Sequence, residues 1–229
     1  LASIRTDDLA AEPLKALMQS YSRTKATSYK AFRQTMELRT NSSNNTVYAD
    51  ADGNIAYFHG NFHPKRDPSF DWVHPVDGSN PATEWQGLHA IKDTITVMNP
   101  ANGWIQNTNN WPFRVAGASS PLEKDYPKYM WSLPENARGL HALRVLAQAK
   151  DVTLDSLIGL AYDNYLTAFE PLVPSLLTAY DALPAGDSLI ARLAPQVSAL
   201  RGWDLRYSVT SVPTSLAVYW GQAMVANAK

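Results

Sequence analysis

Apolar positions in the first forty residues recur at helical spacing. Leu9, Leu14, Leu17, Met18 and Tyr21 form one stripe, and beyond Ser28 the residues Phe32, Met36 and Leu38 fall near one face. Ser28 immediately precedes this second stretch, "YKAFRQTMEL". The polar run "TNSSNN" ends this helical lead-in, residues 1–44. The texture then changes to strand and loop over residues 45–134. "TVYADADGNIAYFHG" predicts a hairpin, with Val47 on one arm and Ile55 to Phe58 on the other, about an Asp-Gly turn. "HPKRDPSFDWVHPVDGSNP" reads as a long irregular segment, and "TITVMNPANGWIQN" as strand, Asn-Pro turn and second strand. Residues 135–229 are helical in pattern. "ENARGLHALRVLAQAK" gives one helix, and Thr153 caps a second whose stripe runs through Leu157, Leu160, Ala161, Tyr165 and Phe169 until Pro171 and Pro174 bend or end it. "DSLIARLAPQVSALRGWD" and "VPTSLAVYWGQAMVANA" supply two more. Helices flanking a few short strands predict an α+β fold, in which the strands need partners from elsewhere to make a closed sheet.

Composition narrows the classes. Among 229 residues, 20 basic side chains stand against 21 acidic ones, so no basic excess is available to follow a phosphate backbone, and no nucleic-acid partner is implied. No apolar run approaches the ~18 residues of a membrane span. Cysteine is absent, which removes thiol catalysis, disulfides and cysteine-based zinc sites. The opening "LASIRTDDLAAEPLK" has neither an initiating Met nor the basic and apolar regions of a signal peptide, and is expected to come from processing or from within a longer protein.

Candidate chemistry is sparse. "DADGNI" has the order of an EF-hand centre, but its first and twelfth positions would be Tyr48 and His59, so a hairpin turn is the better reading. His59 and His63 are four residues apart in non-helical sequence, and with His74 they could hold a metal or be scattered loop histidines. His89 and His141 have no evident acidic partner nearby in sequence. Ser119 and Ser120 lack a neighbouring base. No phosphate-binding or dinucleotide glycine motif occurs, so no cofactor is implied. "GWIQNTNNWP" stands apart: Gln106, Asn107, Asn109 and Asn110 lie between two tryptophans. Either these amides stabilise a turn by mimicking backbone, or one is aimed at a ligand, where an uncharged N–H donor suits an oxyanion formed during acyl transfer.

Taken in order, "NTVYADADGNIAYFHG", "HPVDGSNPATEWQG", "NPANGWIQNTNNWP", and the later "LRGWD" and "YWGQAM" resemble the penicillin acylase family of N-terminal nucleophile hydrolases across most of residues 45–225. Gln106, the Trp-Pro that follows it and "DYPKYM" are most similar to the acyl-homoserine lactone and aculeacin acylase branch. The resemblance implies a four-layer αββα fold, of which residues 1–229 would be an internal part of a single β-chain domain. It makes Asn109, the second Asn of N-x-N, the oxyanion donor, Asn107 a structural residue, and Arg138 an arginine beside the catalytic centre. The nucleophile it implies is a free N-terminal Ser, Cys or Thr whose own amino group is the base, and Leu1 cannot serve. The family's calcium position falls on Met130, so no metal is expected there. The implied partners are the remaining β-chain segments, an α chain from the same precursor and a small acyl-amide substrate, in the periplasm or outside the cell. The alternatives are a nucleophile-less binding module of acylase descent and a metal-dependent hydrolase using His59, His63 and His74. Trp104, Trp111, Phe113 and Trp131 either line an apolar acyl pocket or pack in the core.

Overall fold

The hairpin forms as its sequence predicts. In the computed structural model, which describes residues 12–41 and 44–228, β1 (Thr46–Ala49) pairs antiparallel with β2 (Ile55–Phe58) in the register Thr46 to Phe58 and Ala49 to Ile55. The turn is locked by Asp50. Its Oδ1 accepts the backbone N–H groups of Asp52 and Asn54 at 3.0 and 2.9 Å, and its Oδ2 accepts Asn54 Nδ2 at 3.0 Å and the Tyr48 hydroxyl at 2.8 Å. The Asn54 side chain is the foremost of the donors that hold the Asp50 carboxyl below its usual range. Gly53 takes the left-handed φ of +83° that the turn requires.

A third strand, β3 (Thr96–Met98), pairs antiparallel on the other side of β2, giving the order β1-β2-β3. The central strand is covered on both faces, which accounts for its unbroken apolar run "IAYF". Ala56 and Phe58 meet Ile91 and helix α2 (Tyr29–Met36) through Phe32 and Met36, while Tyr57 packs with Val97, Val115 and Ala116 on the opposite face. Ser28 caps α2, its Oγ accepting Ala31 N–H at 3.2 Å. Ahead of it, α1 (Pro13–Arg23) opens with a proline at its first position. Here the apolar stripe misleads. Leu14, Leu17 and Tyr21 are exposed, and Gln19 is the buried residue, its Oε1 accepting Thr40 N–H and Oγ1 at 3.0 and 2.6 Å. A hydrogen-bonded amide thus turns inward in place of the leucines. Leu9 lies outside the described residues.

Between β2 and β3 the chain is irregular yet ordered. Asp67, Asp71 and Asp77 each accept the N–H two residues on, and Pro64 and Leu88 form an isolated bridge. The second strand expected after the Asn-Pro turn is absent. Gln106 N–H bonds Val115 O at 2.8 Å, and the next amides bond one another. Phe113 joins Ile95 and Met130 in a third core cluster, with Trp111 and Trp131 against it. These elements make up the first of two compact units, Leu1–Gly139.

The second unit, Leu140–Lys229, is helical. Helix α3 (Ala137–Gln148) begins in the last residues of the first unit, and α4 (Leu154–Ala161) carries a Thr153–Ser156 capping box. The helix expected to run from Thr153 to the prolines stops earlier, at Tyr162. Asp163 Oδ1 accepts Tyr165 N–H at 3.0 Å, and Tyr165 bridges to Arg206, which takes the backbone out of helix. Pro171 and Pro174 fall within the next helix, α5 (Phe169–Asp181), Pro171 in its first turn, where no intrahelical N–H is needed. Helices α6 (Ser188–Arg201) and α7 (Val212–Asn227) are capped by Asp187 and Ser211. Val173, Leu200 and Ala217 from these three helices form the core of the unit. No helix among the described residues is long and apolar enough to cross a membrane.

Candidate active site

The amide run folds into a turn whose hydrogen bonds can be followed atom by atom. Asn107 Oδ1 accepts Asn109 N–H at 3.2 Å and the Asn45 side-chain amide at 3.1 Å. Asn110 Oδ1 accepts Thr108 N–H at 3.3 Å, and Asn110 Nδ2 donates to Glu135 Oε1 at 2.9 Å. Asn136 Nδ2 donates to the carbonyls of Thr108 and Asn109 at 3.2 and 3.3 Å. The Asn109 backbone is therefore bound at both its N–H and its C=O. Its φ of +54° is left-handed, a region that asparagine tolerates better than most residues. By contrast its side chain is exposed and makes no hydrogen bond with the described residues. It faces an open cleft of ≈ 1540 Å³ that His59, His63, Arg66, Asn107 and Trp131 also line.

The other amides serve the fold. Gln106 is buried, donating from Nε2 to Arg114 O at 3.3 Å. Asn110 is buried against Glu135. Asn107 is held by Asn45. Arg138 stands exposed in the first turn of α3, with no ion pair or hydrogen bond to the described residues. A cation there faces the positive end of the helix dipole, an unfavourable place unless something else uses its charge.

Three further residues, Glu135, Asn136 and Gly139, complete this site. Glu135 accepts the Asn110 amide and the Asn136 N–H through one oxygen, while its other oxygen is buried 3.8 Å from Arg114 Nε. Asn136 caps α3, Oδ1 to Gly139 N–H at 2.9 Å, as well as holding the turn. A Cβ on Gly139 would come within 2.3 Å of both Asn110 Nδ2 and Glu135 Oε1, so only glycine fits there. "EN" before a helical stripe is a capping signal, but the contact with residues 27 and 28 positions earlier is not legible from spacing.

The histidines are not brought together as a metal site, and no group of three or more His, Asp or Glu suited to a metal exists among the described residues. His59 and His63 do stack, with ring centroids 6.2 Å apart. However, His59 Nδ1 bonds the Tyr57 hydroxyl at 2.7 Å, and His63 Nε2 bonds the His59 carbonyl. His74 pairs with Asp71 instead. Burial first, and His63 second, hold the His59 imidazole down at about 4, and burial also lowers His63. Both rings are neutral near pH 7. The Ser120 hydroxyl accepts Ala116 N–H at 2.9 Å and closes a loop. Of the four aromatic candidates, Phe113 is core, with Trp111 and Trp131 packed on it. Trp104 covers Gly117, and Trp131 also reaches the cleft wall.

The fold is α+β, with helices around a small antiparallel sheet. It superposes with a TM-score of 0.62 on a thermostable penicillin G acylase from Alcaligenes faecalis, at 22% identity over 86% of this chain and 34% of that one. The chain belongs to the penicillin amidase family, whose sequence profile matches residues 3–229. Penicillin G acylase of Escherichia coli is 32% identical over 116 residues, which are 48% of this chain and 12% of that protein. The chain thus spans well under half the length of either relative.

Proposed function

We propose that these 229 residues are an internal part of the β chain of an acylase that hydrolyses an amide bond between an acyl group and an amine-bearing nucleus. They supply the oxyanion donor, and the nucleophile comes from a part of the protein outside them. The observation that carries this reading is Asn109, with its backbone bound on both sides and its side-chain N–H donors unpartnered over a cleft. A donor on a fixed backbone, with no competing partner among the described residues, is available when charge develops on the substrate oxygen, which is what electrostatic stabilisation of a tetrahedral intermediate demands. An N-terminal nucleophile attacks the carbonyl and its amino group takes the proton. Asn109 then bonds the oxyanion, the protonated amine departs, and water releases the acid from the acyl-enzyme. Arg138 supplies positive charge beside this centre, and Trp131 an aromatic face for the acyl group. Gln106, the Trp-Pro and "DYPKYM" favour the acyl-homoserine lactone and aculeacin acylase branch, with a periplasmic or secreted location. The whole of residues 1–229 then belongs to one β-chain domain, completed by further β-chain segments and an α chain.

Replacing an oxyanion donor typically costs about 2.7–4 kcal/mol in the transition state, so Asn109→Ala in the complete enzyme should lower kcat by about 10²–10³. Steady-state kinetics on an N-acyl-homoserine lactone or penicillin substrate measures this, and a loss below about tenfold rejects the assignment.

A further inference from the structure

Asn136 makes two kinds of contact at once. Its Oδ1 accepts Gly139 N–H at 2.9 Å as the cap of α3, and its Nδ2 donates to Thr108 O and Asn109 O at 3.2 and 3.3 Å. A cap needs only the oxygen; serine or aspartate would satisfy the helix equally well. The amide nitrogen serves the turn alone. It meets the carbonyl of Asn109, whose φ of +54° decides where the side chain points. Among the described residues, the other bond to the Asn109 backbone comes from Asn107 Oδ1, itself shared with Asn45. Behind Asn136, Glu135 Oε1 accepts both the Asn136 N–H and the Asn110 amide at 2.8 and 2.9 Å, so that the cap and the turn are fastened to one carboxylate.

We propose that Asn136 is a positioning residue for the acyl-transfer reaction, fixing Asn109 in its left-handed conformation and so aiming the oxyanion donor from the start of α3. This rests on the oxyanion reading of Asn109. Asn136 touches no reacting atom. Its contribution appears as geometry, and small misplacements of a catalytic donor are expensive in rate.

The test is a double-mutant cycle in the complete enzyme with Asn109→Ala, Asn136→Ser and the pair. Serine retains the cap oxygen and removes the amide donor. Asn136→Ser should lower kcat by about tenfold or more with KM within about twofold, and should cost less than about twofold further in the Asn109→Ala background. An unchanged kcat, or an equal loss in both backgrounds, overturns the proposal: Asn136 would then be a helix cap only. If the serine variant does not fold, Asn136→Asp, which also keeps the cap and lacks the donor, is measured in the same cycle with the same outcomes. The Asn109→Ala arm alone judges the oxyanion reading, so the two failures are told apart.

Discussion

At the scale of single residues, two side chains share a cleft and answer differently to their surroundings. Asn109 is bound by its backbone and free at its tip, while His59 is held by its tip and half-buried in its body. Burial lowers the His59 pKa from an ordinary value near 6.5 to about 4 in the folded chain. Between those values the unfolded chain takes up a proton that the folded one refuses. Stability attributable to His59 is therefore complete above pH 6.5 and is lost as pH falls toward 4, to the extent of about 3 kcal/mol. Thermal melts of the chain from pH 7 to 4 should show this decline, and His59→Gln should flatten it. A parallel decline in the variant would assign the acid sensitivity to other groups. Asn109 was legible in the sequence only through the ordered family motifs. Among its three amide neighbours nothing local distinguishes the free side chain from the structural ones, because the distinction lies in partners at Asn45, Glu135 and Asn136.

Whole elements show the same division. The hairpin and the Thr153 cap follow from local chemistry and form as the sequence predicts. Misreadings fall where a distant partner decides. The strand expected after Asn99–Pro100 gives way to a turn held by Asn136, and in α1 the residue turned inward is Gln19, which finds two donors at Thr40. Helix α3 provides the clearest test at this scale. Glycine to alanine inside a helix ordinarily stabilises by roughly 1 kcal/mol. Here Gly139→Ala should do the opposite, since the new methyl sits within 2.3 Å of the atoms that join Asn110 to Glu135. Parting them strands a buried amide and a carboxylate, at a cost of about 1–3 kcal/mol. A lowered melting temperature is the expected result, and a raised one would mean that the two side chains move aside freely.

For the molecule as a whole, the amount of uncovered apolar surface is the main feature. In α7, Val212, Tyr219 and Val225 are 69%, 73% and 70% exposed, and in α4 Leu154 is 82% exposed. A helix apolar on every side is expected to be buried, and large exposed apolar areas mark contact surfaces. If the chain is part of a larger acylase, the 229 residues alone should bind a hydrophobic dye, self-associate on concentration and hydrolyse no acyl amide. Sedimentation with a dye titration and an acylase assay measures all three; a dye-silent, active monomer would refute the incomplete-enzyme reading. The sheet carries a different consequence. Strand β2 ends at Phe58 and its neighbour β3 starts at Thr96, so much of the cleft wall is one long loop closed between two adjacent strands. Doubling the length of such a loop adds only about 0.6 kcal/mol of closure entropy. Segments from related proteins could therefore be grafted between Pro64 and Leu88, which bridge one another and enclose no buried residue, to change what the cleft admits, while Ile91 stays in the core and the asparagine turn keeps its anchors at Asn45, Glu135 and Asn136.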